Sequence, residues 1–277
     1  MVKLNYAQRQ GTRQRMNSRI LQTLKLGCLI LFGIGLVGCA TNRCESKMAD
    51  YRSGTTTYAD PIEPVNRAVF VFNETVDQAL LAPAATAYDA ALPRWGENAI
   101  HNFLTHIQTP VFLVNDVLQG DMDGADKLIR RFVVNTTLGL GGIIDVADHH
   151  KLSAPPEEDF GQTLAVWGVG PGIYVVLPFF GPSTLRDASA MPVDSAIDPF
   201  TWYVNRTDDD FARITRQGVE TVDFRARNEE NIEDLRNRSI DTYATLRTIY
   251  SQRRSNAITD GKPSKGGQTT AYDDLAF

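Results

Sequence analysis

From Gly161 to Leu185 the chain reads GQTLAVWGVGPGIYVVLPFFGPSTL, 25 residues without a charge. That length suits a membrane-crossing helix. Gly168, Gly170, Pro171, Gly172, Pro178, Gly181 and Pro182 argue against one, because each weakens or breaks a continuous helix. In lipid, non-helical backbone survives only when it is buried in protein or lines a wet cavity. The segment is therefore expected to form short helices and turns packed on one another, partly inside a membrane and around a cavity. Trp167, Tyr174, Val176, Phe179 and Phe180 are the candidate membrane-embedded side chains. A second run, FVVNTTLGLGGII from Phe132 to Ile144, has thirteen residues with no charge and carries Gly139, Gly141 and Gly142. Taken alone, both runs also suit the interior of a soluble helical domain.

The first forty residues favour the membrane. Residues 1–38 hold six basic residues and no acid, and end in the apolar stretch Leu26–Val37. Twelve helical residues span ~18 Å, too short to cross a bilayer, so 1–38 reads as a signal peptide, with Met16 a possible start. Leu36-Val37-Gly38-Cys39 matches a bacterial lipobox. Cys39 would be acylated, and three acyl chains at ~0.8 kcal/mol per buried methylene make a permanent anchor. No Asp follows Cys39, which points to outer-membrane delivery. Cys28 leaves with the signal, and Cys44 is then a thiol without a partner in the chain. Removing the six basic residues leaves 22 against 33 acidic, a net of −11. That excludes a nucleic-acid binder and electrostatic docking onto anionic lipid.

Residues 39–59 read as a lipidated terminus and polar tether, 60–250 as a helical domain and 251–277 as a disordered tail. Asp60-Pro61-Ile62-Glu63 is a helix start, with Val65, Val69, Phe72, Val76 and Leu80 at helical spacing after it. Ile100, Phe103, Leu104 and Ile107 mark a second helix ending near Pro110, and Val111–Leu118 a short third one. Asp121 or Asp123 caps the next, with a buried stripe of Ala125, Leu128, Ile129, Phe132, Val133 and Thr136. Phe211, Ile214 and Val222 mark another helix; Ile232, Leu235, Tyr243, Leu246 and Tyr250 mark the last. No sustained alternation of period two occurs, so the fold class is all-α.

Catalytic signatures are missing. Asp145, Asp148, His149 and His150 cluster in sequence but match no zinc spacing. Asp121–Asp126 lacks the later ligand positions of a calcium loop. Gly139-Leu140-Gly141-Gly142 is not a nucleotide-binding GxGxxG, and no GxSxG elbow is present. No cofactor, no metal and no enzymatic activity are expected.

Four blocks carry a resemblance: DPIEPVNRAVFVFN (60–73), TPVFLVNDVLQGD (109–121), RRFVVNTTLGLGGIIDVA (130–147) and FGQTLAVWGVGPGIYVVLPFFGPSTLRD (160–187). In this order and spacing behind a lipobox, the chain resembles the MlaA (VacJ) outer-membrane lipoproteins. The resemblance implies an all-helical, ring-shaped domain in the inner leaflet of the outer membrane, with a central amphipathic channel. Beside the channel it implies a flexible hairpin, here Leu138, Gly139, Leu140, Gly141, Gly142, Ile143 and Ile144. The implied partners are phospholipids, trimeric outer-membrane porins, a soluble periplasmic phospholipid carrier and, through it, an inner-membrane ABC transporter complex. The implied task is removal of mislocalised phospholipid from the outer leaflet. Two other classes stand beside it: a lipoprotein that only scaffolds porins, and a lipid hydrolase, which the missing nucleophile motif disfavours.

Overall fold

A computed structural model describes residues 58–260. Cys39, the signal segment and Cys44 lie outside them. Along the chain run α1 (Glu63–Val76), a π-helical turn (Asp77–Leu81), α2 (Ala82–Ala91), α3 (Arg94–Gln119) and α4 (Met122–Thr137). Then follow α5 (Val146–His149), α6 (Phe160–Val166), strands β1 (Tyr174–Leu177) and β2 (Gly181–Thr184), and α7 (Leu185–Ile197). The chain continues with α8 (Pro199–Thr207), α9 (Asp210–Arg227), α10 (Glu229–Arg238) and α11 (Thr242–Ile258). The class is all-α, with one two-stranded antiparallel hairpin among the described residues.

Local chemistry sets the boundaries. Asp121, Asp145, Asp159, Thr184, Asp198, Asp209 and Asp241 each cap a helix by accepting a backbone N–H of its first turn. Gly120, at φ 84°, ends α3 in the left-handed conformation that glycine adopts most easily. The π turn precedes Pro83, which lacks the N–H that a regular helix would direct at residue 79. Asp60 is not a cap. It accepts from the amide of Asn66 at 2.7 Å and from Tyr243, and pairs with Arg247. The helix starts after Ile62, which makes no side-chain cap.

Three expected boundaries move. The helix expected to end near Pro110 continues for 26 residues, about 39 Å, from Arg94 to Gln119. Leu104, Thr109, Val111, Phe112, Asn115 and Asp116 are buried on both sides of the proline, and their packing offsets its ~3 kcal/mol propensity cost. The tail expected from 251 is helical to Ile258, because Ser251, Ser255 and Ile258 are buried. The fold also begins before Asp60: Tyr58 is in the core, and the Ala59 carbonyl accepts from Tyr174 N–H at 2.9 Å.

The uncharged segment 161–185 resolves into α6, a turn and the β-hairpin rather than helices and turns alone. Asn66 and Asn73, seven residues apart on α1, each bond two backbone groups along the hairpin. Asn66 donates to Tyr174 O at 3.0 Å and accepts from Val176 N at 2.9 Å. Asn73 donates to Leu177 O and accepts from Phe179 N, both at 2.9 Å. These amides satisfy a strand edge that would otherwise be open.

Part of each of several expected apolar stripes is on the outside, although Leu104, Ala125, Leu128 and Tyr243 are buried. Val65 and Phe72 of α1 and Leu80 of the π turn are exposed, as are Phe103 of α3 and Ile129, Phe132 and Val133 of α4; Phe211 and Ile214 of α9 are too. Buried instead are Asn66, Glu97, Asn115, Asp116, Asn135, Asp187, Asp223 and Arg225. Ion pairs hold this interior: Arg254 to Asp159 (2.5 Å) and Asp187 (2.9 Å), Arg236 to Asp77 (2.6 Å) and Arg225 to Asp77 (3.0 Å). A small apolar core remains around Tyr58, Tyr174, Val176 and Tyr243.

Candidate functional site

The uncharged corner between α4 and α5 is built by four backbone bonds. Gly139 N donates to Val134 O, Gly141 N to Thr136 O, Gly142 N to Asn135 O and Ile144 N to Gly139 O. Leu140, Gly141 and Gly142 have φ of 53°, 74° and 93°. A Cβ on Gly139 would strike the Ile144 and Asn135 carbonyls, and one on Gly142 would strike the His106 side chain. Around this tight backbone, Leu138, Leu140, Ile143 and Ile144 face outward, Leu140 at 68% exposure. The corner is thus a close-packed turn with an apolar rim.

Beneath it lies a cavity of about 210 Å³ between α3, α4 and residues 154–157. Asn135 ties its wall together: its amide donates to Asp145 at 2.9 Å and its oxygen accepts from Ala147 N at 2.9 Å. Arg131 pairs with Asp145 at 2.6 Å. Burial pushes the Asp145 carboxyl up, but the donors Asn135, Asp148 N–H and Arg131 together hold it below its usual value. His106 stacks on Phe132 at 4.6 Å, lies 3.0 Å from the Thr136 hydroxyl, and is held below its usual pKa by burial. A second cavity of about 300 Å³ lies among α3, α7, α8 and α9, and Phe112 borders both.

The five candidate membrane side chains separate. Tyr174 and Val176 are 0% and 5% exposed, covered by protein and not by lipid, because β1 turns both toward the tyrosine cluster. Phe179 and Phe180 stand at the hairpin tip, 72% and 69% exposed. Phe179, at φ 68°, meets exposed Phe72 edge-on at 5.3 Å. Trp167 is exposed and donates to Leu118 O at 3.0 Å. Asp145 is engaged with Arg131, Asn135 and the α5 cap, while His149 and His150 are exposed. Among the described residues no three His, Cys, Asp or Glu side chains could hold a metal ion, and no helix is long and apolar enough to cross a membrane.

Sequence reasoning missed Asn66, Asn73, Arg131 and Asn135. Asn66 and Asn73, one heptad apart on α1, and Arg131 and Asn135, one turn apart on α4, share a face within each helix, the spacing that could have marked them. What the arrangement offers chemically is two cavities in an interior with many buried polar groups, together with many exposed aromatic and aliphatic side chains. Exposed apolar side chains in this number suit contact with lipid or with a partner.

Known proteins share this chain's sequence pattern and fold. The model of the MlaA lipoprotein family matches residues 58–257. An Escherichia coli K12 relative, the intermembrane phospholipid transport system lipoprotein MlaA, is 33% identical over 256 residues, 91% of this chain and 96% of its own. Its Haemophilus influenzae namesake is 32% identical over 245 residues, covering 87% and 93%. A solved structure described as the structural basis for maintenance of bacterial outer membrane lipid asymmetry superposes with a TM-score of 0.65 at 35% identity, over 72% of this chain and 99% of that one. With a family model over most of its length and relatives of this identity and coverage, the chain belongs to the MlaA lipoprotein family.

Proposed function

We propose that this protein is a lipid-anchored component of the outer membrane that takes mislocalised phospholipid from the outer leaflet and passes it to a soluble periplasmic carrier, so preserving lipid asymmetry. One observation carries the reading: many aromatic and aliphatic side chains are exposed and many polar groups are buried, although no helix among the described residues is long and apolar enough to cross a bilayer. Such a body is stable embedded in one leaflet, where exposed apolar side chains meet acyl chains. Moving a bare head group through hydrocarbon costs several kcal/mol or more, and a wet polar passage lowers that barrier. The two cavities beside Phe112 are the passage in this reading, within a ring-shaped domain, and the rim Leu138–Ile144 borders its entry. No bond is made or broken, so the protein is a conduit and not an enzyme. Cys39 is its acylation site, trimeric porins hold it in place, and an inner-membrane ABC transporter complex draws the lipid onward.

The test is a deletion strain complemented by this chain. Outer-leaflet phospholipid, read from lipid A acylation and detergent-plus-EDTA sensitivity, should fall to the parental level. Co-purification with porins without any change in those readouts would establish a scaffold instead. Lysolipid or free fatty acid appearing on incubation with phospholipid would establish a hydrolase.

A further inference from the structure

The larger cavity has a charge imbalance that lipid transport alone does not require. Three of its carboxylates are matched by guanidiniums. Asp198 and Glu220 pair with Arg216 at 2.5 and 2.8 Å, and Asp159 pairs with Arg254 at 2.5 Å. Two others are held by neutral donors. Glu158, 3% exposed, accepts from the Gln119 amide at 2.6 Å. Asp194 accepts from the Asn115 amide and from Phe160 N, both at 3.0 Å. Both line the cavity, with Phe112 and Phe200 on its walls.

We propose that this cavity is a subsite for an organic ammonium, the primary amine of a zwitterionic phospholipid head group, with Glu158 and Asp194 as its counter-charges and the two phenyl rings as its apolar walls. This rests on the phospholipid-transport reading above and names the head-group class within it. An ammonium makes hydrogen bonds to carboxylates and is attracted to aromatic faces; the Phe200 face already carries the Arg216 guanidinium at 4.8 Å, so Phe112 supplies that attraction here. A metal ion is a poorer occupant, because no three acidic or histidine side chains among the described residues converge on one point. Arg213 lines the same cavity, its guanidinium paired with Asp210 at 3.2 Å and donating to Asn205 at 2.8 Å. Burial, with neighbouring acids, pushes Glu158 up to about 8 despite the Gln119 amide, and Asp194 up to about 6 despite its amide and N–H donors and the attraction of Arg254. A bound ammonium would reverse that penalty, because buried charge is tolerated when paired.

The test is the head-group composition of phospholipid that co-purifies with the acylated protein, compared with the membrane it came from, by thin-layer chromatography and mass spectrometry. The ratio of ethanolamine to glycerol head groups should exceed the membrane's several-fold in the parent. It should return toward the membrane value in Asp194→Asn and Glu158→Gln. A parent ratio equal to or below the membrane's overturns the subsite while leaving transport intact. Failure of the parent to retain lipid or to restore the barrier in the deletion strain overturns the transport reading itself. Should either variant not accumulate, Phe112→Leu keeps the test open: loss of aromatic attraction should lower the ratio, and an unchanged ratio counts against the proposal.

Discussion

At Gly142 two constraints coincide that Gly141 meets only singly. Both sit at positive φ, where an L-residue costs about 1–2 kcal/mol. A Cβ on Gly141 meets nothing within 4 Å, whereas one on Gly142 intrudes on His106, itself fixed by Phe132 and Thr136. Overpacking of this kind adds about 1–3 kcal/mol. Gly142→Ala should therefore unfold at lower denaturant than Gly141→Ala in detergent, by that margin. Equal midpoints would mean that His106 yields freely and the corner is loose. Glu158 gives a pH-dependent case. Its carboxyl is pushed up by burial from an ordinary value of 4.5 to about 8. An acid whose folded pKa is raised stabilises the fold while protonated, and that contribution drains away as pH rises between the two values. Glu158→Gln should match the parent near pH 4 and be the more stable of the two at pH 9, as read by thermal unfolding. A variant less stable at pH 9 would show that the carboxylate already has a cationic partner.

At the level of elements, the hairpin divides its own side chains between two environments. Val176 lies inside, among Tyr58, Tyr174 and Tyr243, while Phe180 is at the exposed tip. Val176→Lys buries an unpaired charge and should cost about 3 kcal/mol or more, lowering the protein level. Phe180→Lys should leave folding intact and weaken retention on vesicles, by about 0–1 kcal/mol if the tip rests near the interface and by more if deeper. Normal accumulation of Val176→Lys would place β1 on a wet surface. Helical periodicity found α1, α4 and α9, whereas the last expected helix, marked by Ile232, Leu235, Tyr243, Leu246 and Tyr250, is two, α10 and α11, with Ser239 and Asp241 at the break; of the two caps expected for α4, Asp121 is the one observed. Periodicity gives the direction of an apolar face but not its sign, since lipid and protein core select the same spacing. Val65, Phe72, Ile129 and Phe132 were therefore legible as a face and not as an exterior. Pro110 failed as a stop signal because burial on both sides outweighs its local cost. The hairpin was illegible for another reason: four residues, Tyr174–Leu177, are too few to show alternation.

For the whole molecule, two independent attachments to the membrane are at issue: the acyl chains expected on Cys39 and the apolar exterior of the domain. They separate in a Cys39→Ala chain exported on a cleavable signal that carries no lipobox. If acylation alone held the protein, this variant would be a soluble periplasmic monomer. The exterior argues otherwise. Exposed side chains including Trp95, Phe132, Leu140, Phe180 and Trp202 are spread over several elements, far more than isolated surface residues. With an expected mature charge of −11, electrostatic attraction to anionic lipid cannot supply the binding, so retention should be insensitive to salt. The unacylated variant should pellet with vesicles of neutral phospholipid equally at low and at molar salt, and be released by detergent. Release by salt would reduce the contact to a polar one, and a stable monomer in buffer without vesicles or detergent would remove the basis for placing this domain in a leaflet. Barrier function is the second readout. A variant bound to membranes yet unable to restore detergent-plus-EDTA resistance would give the acyl chains the separate task of selecting and orienting the outer membrane, with the domain's apolar surface supplying depth.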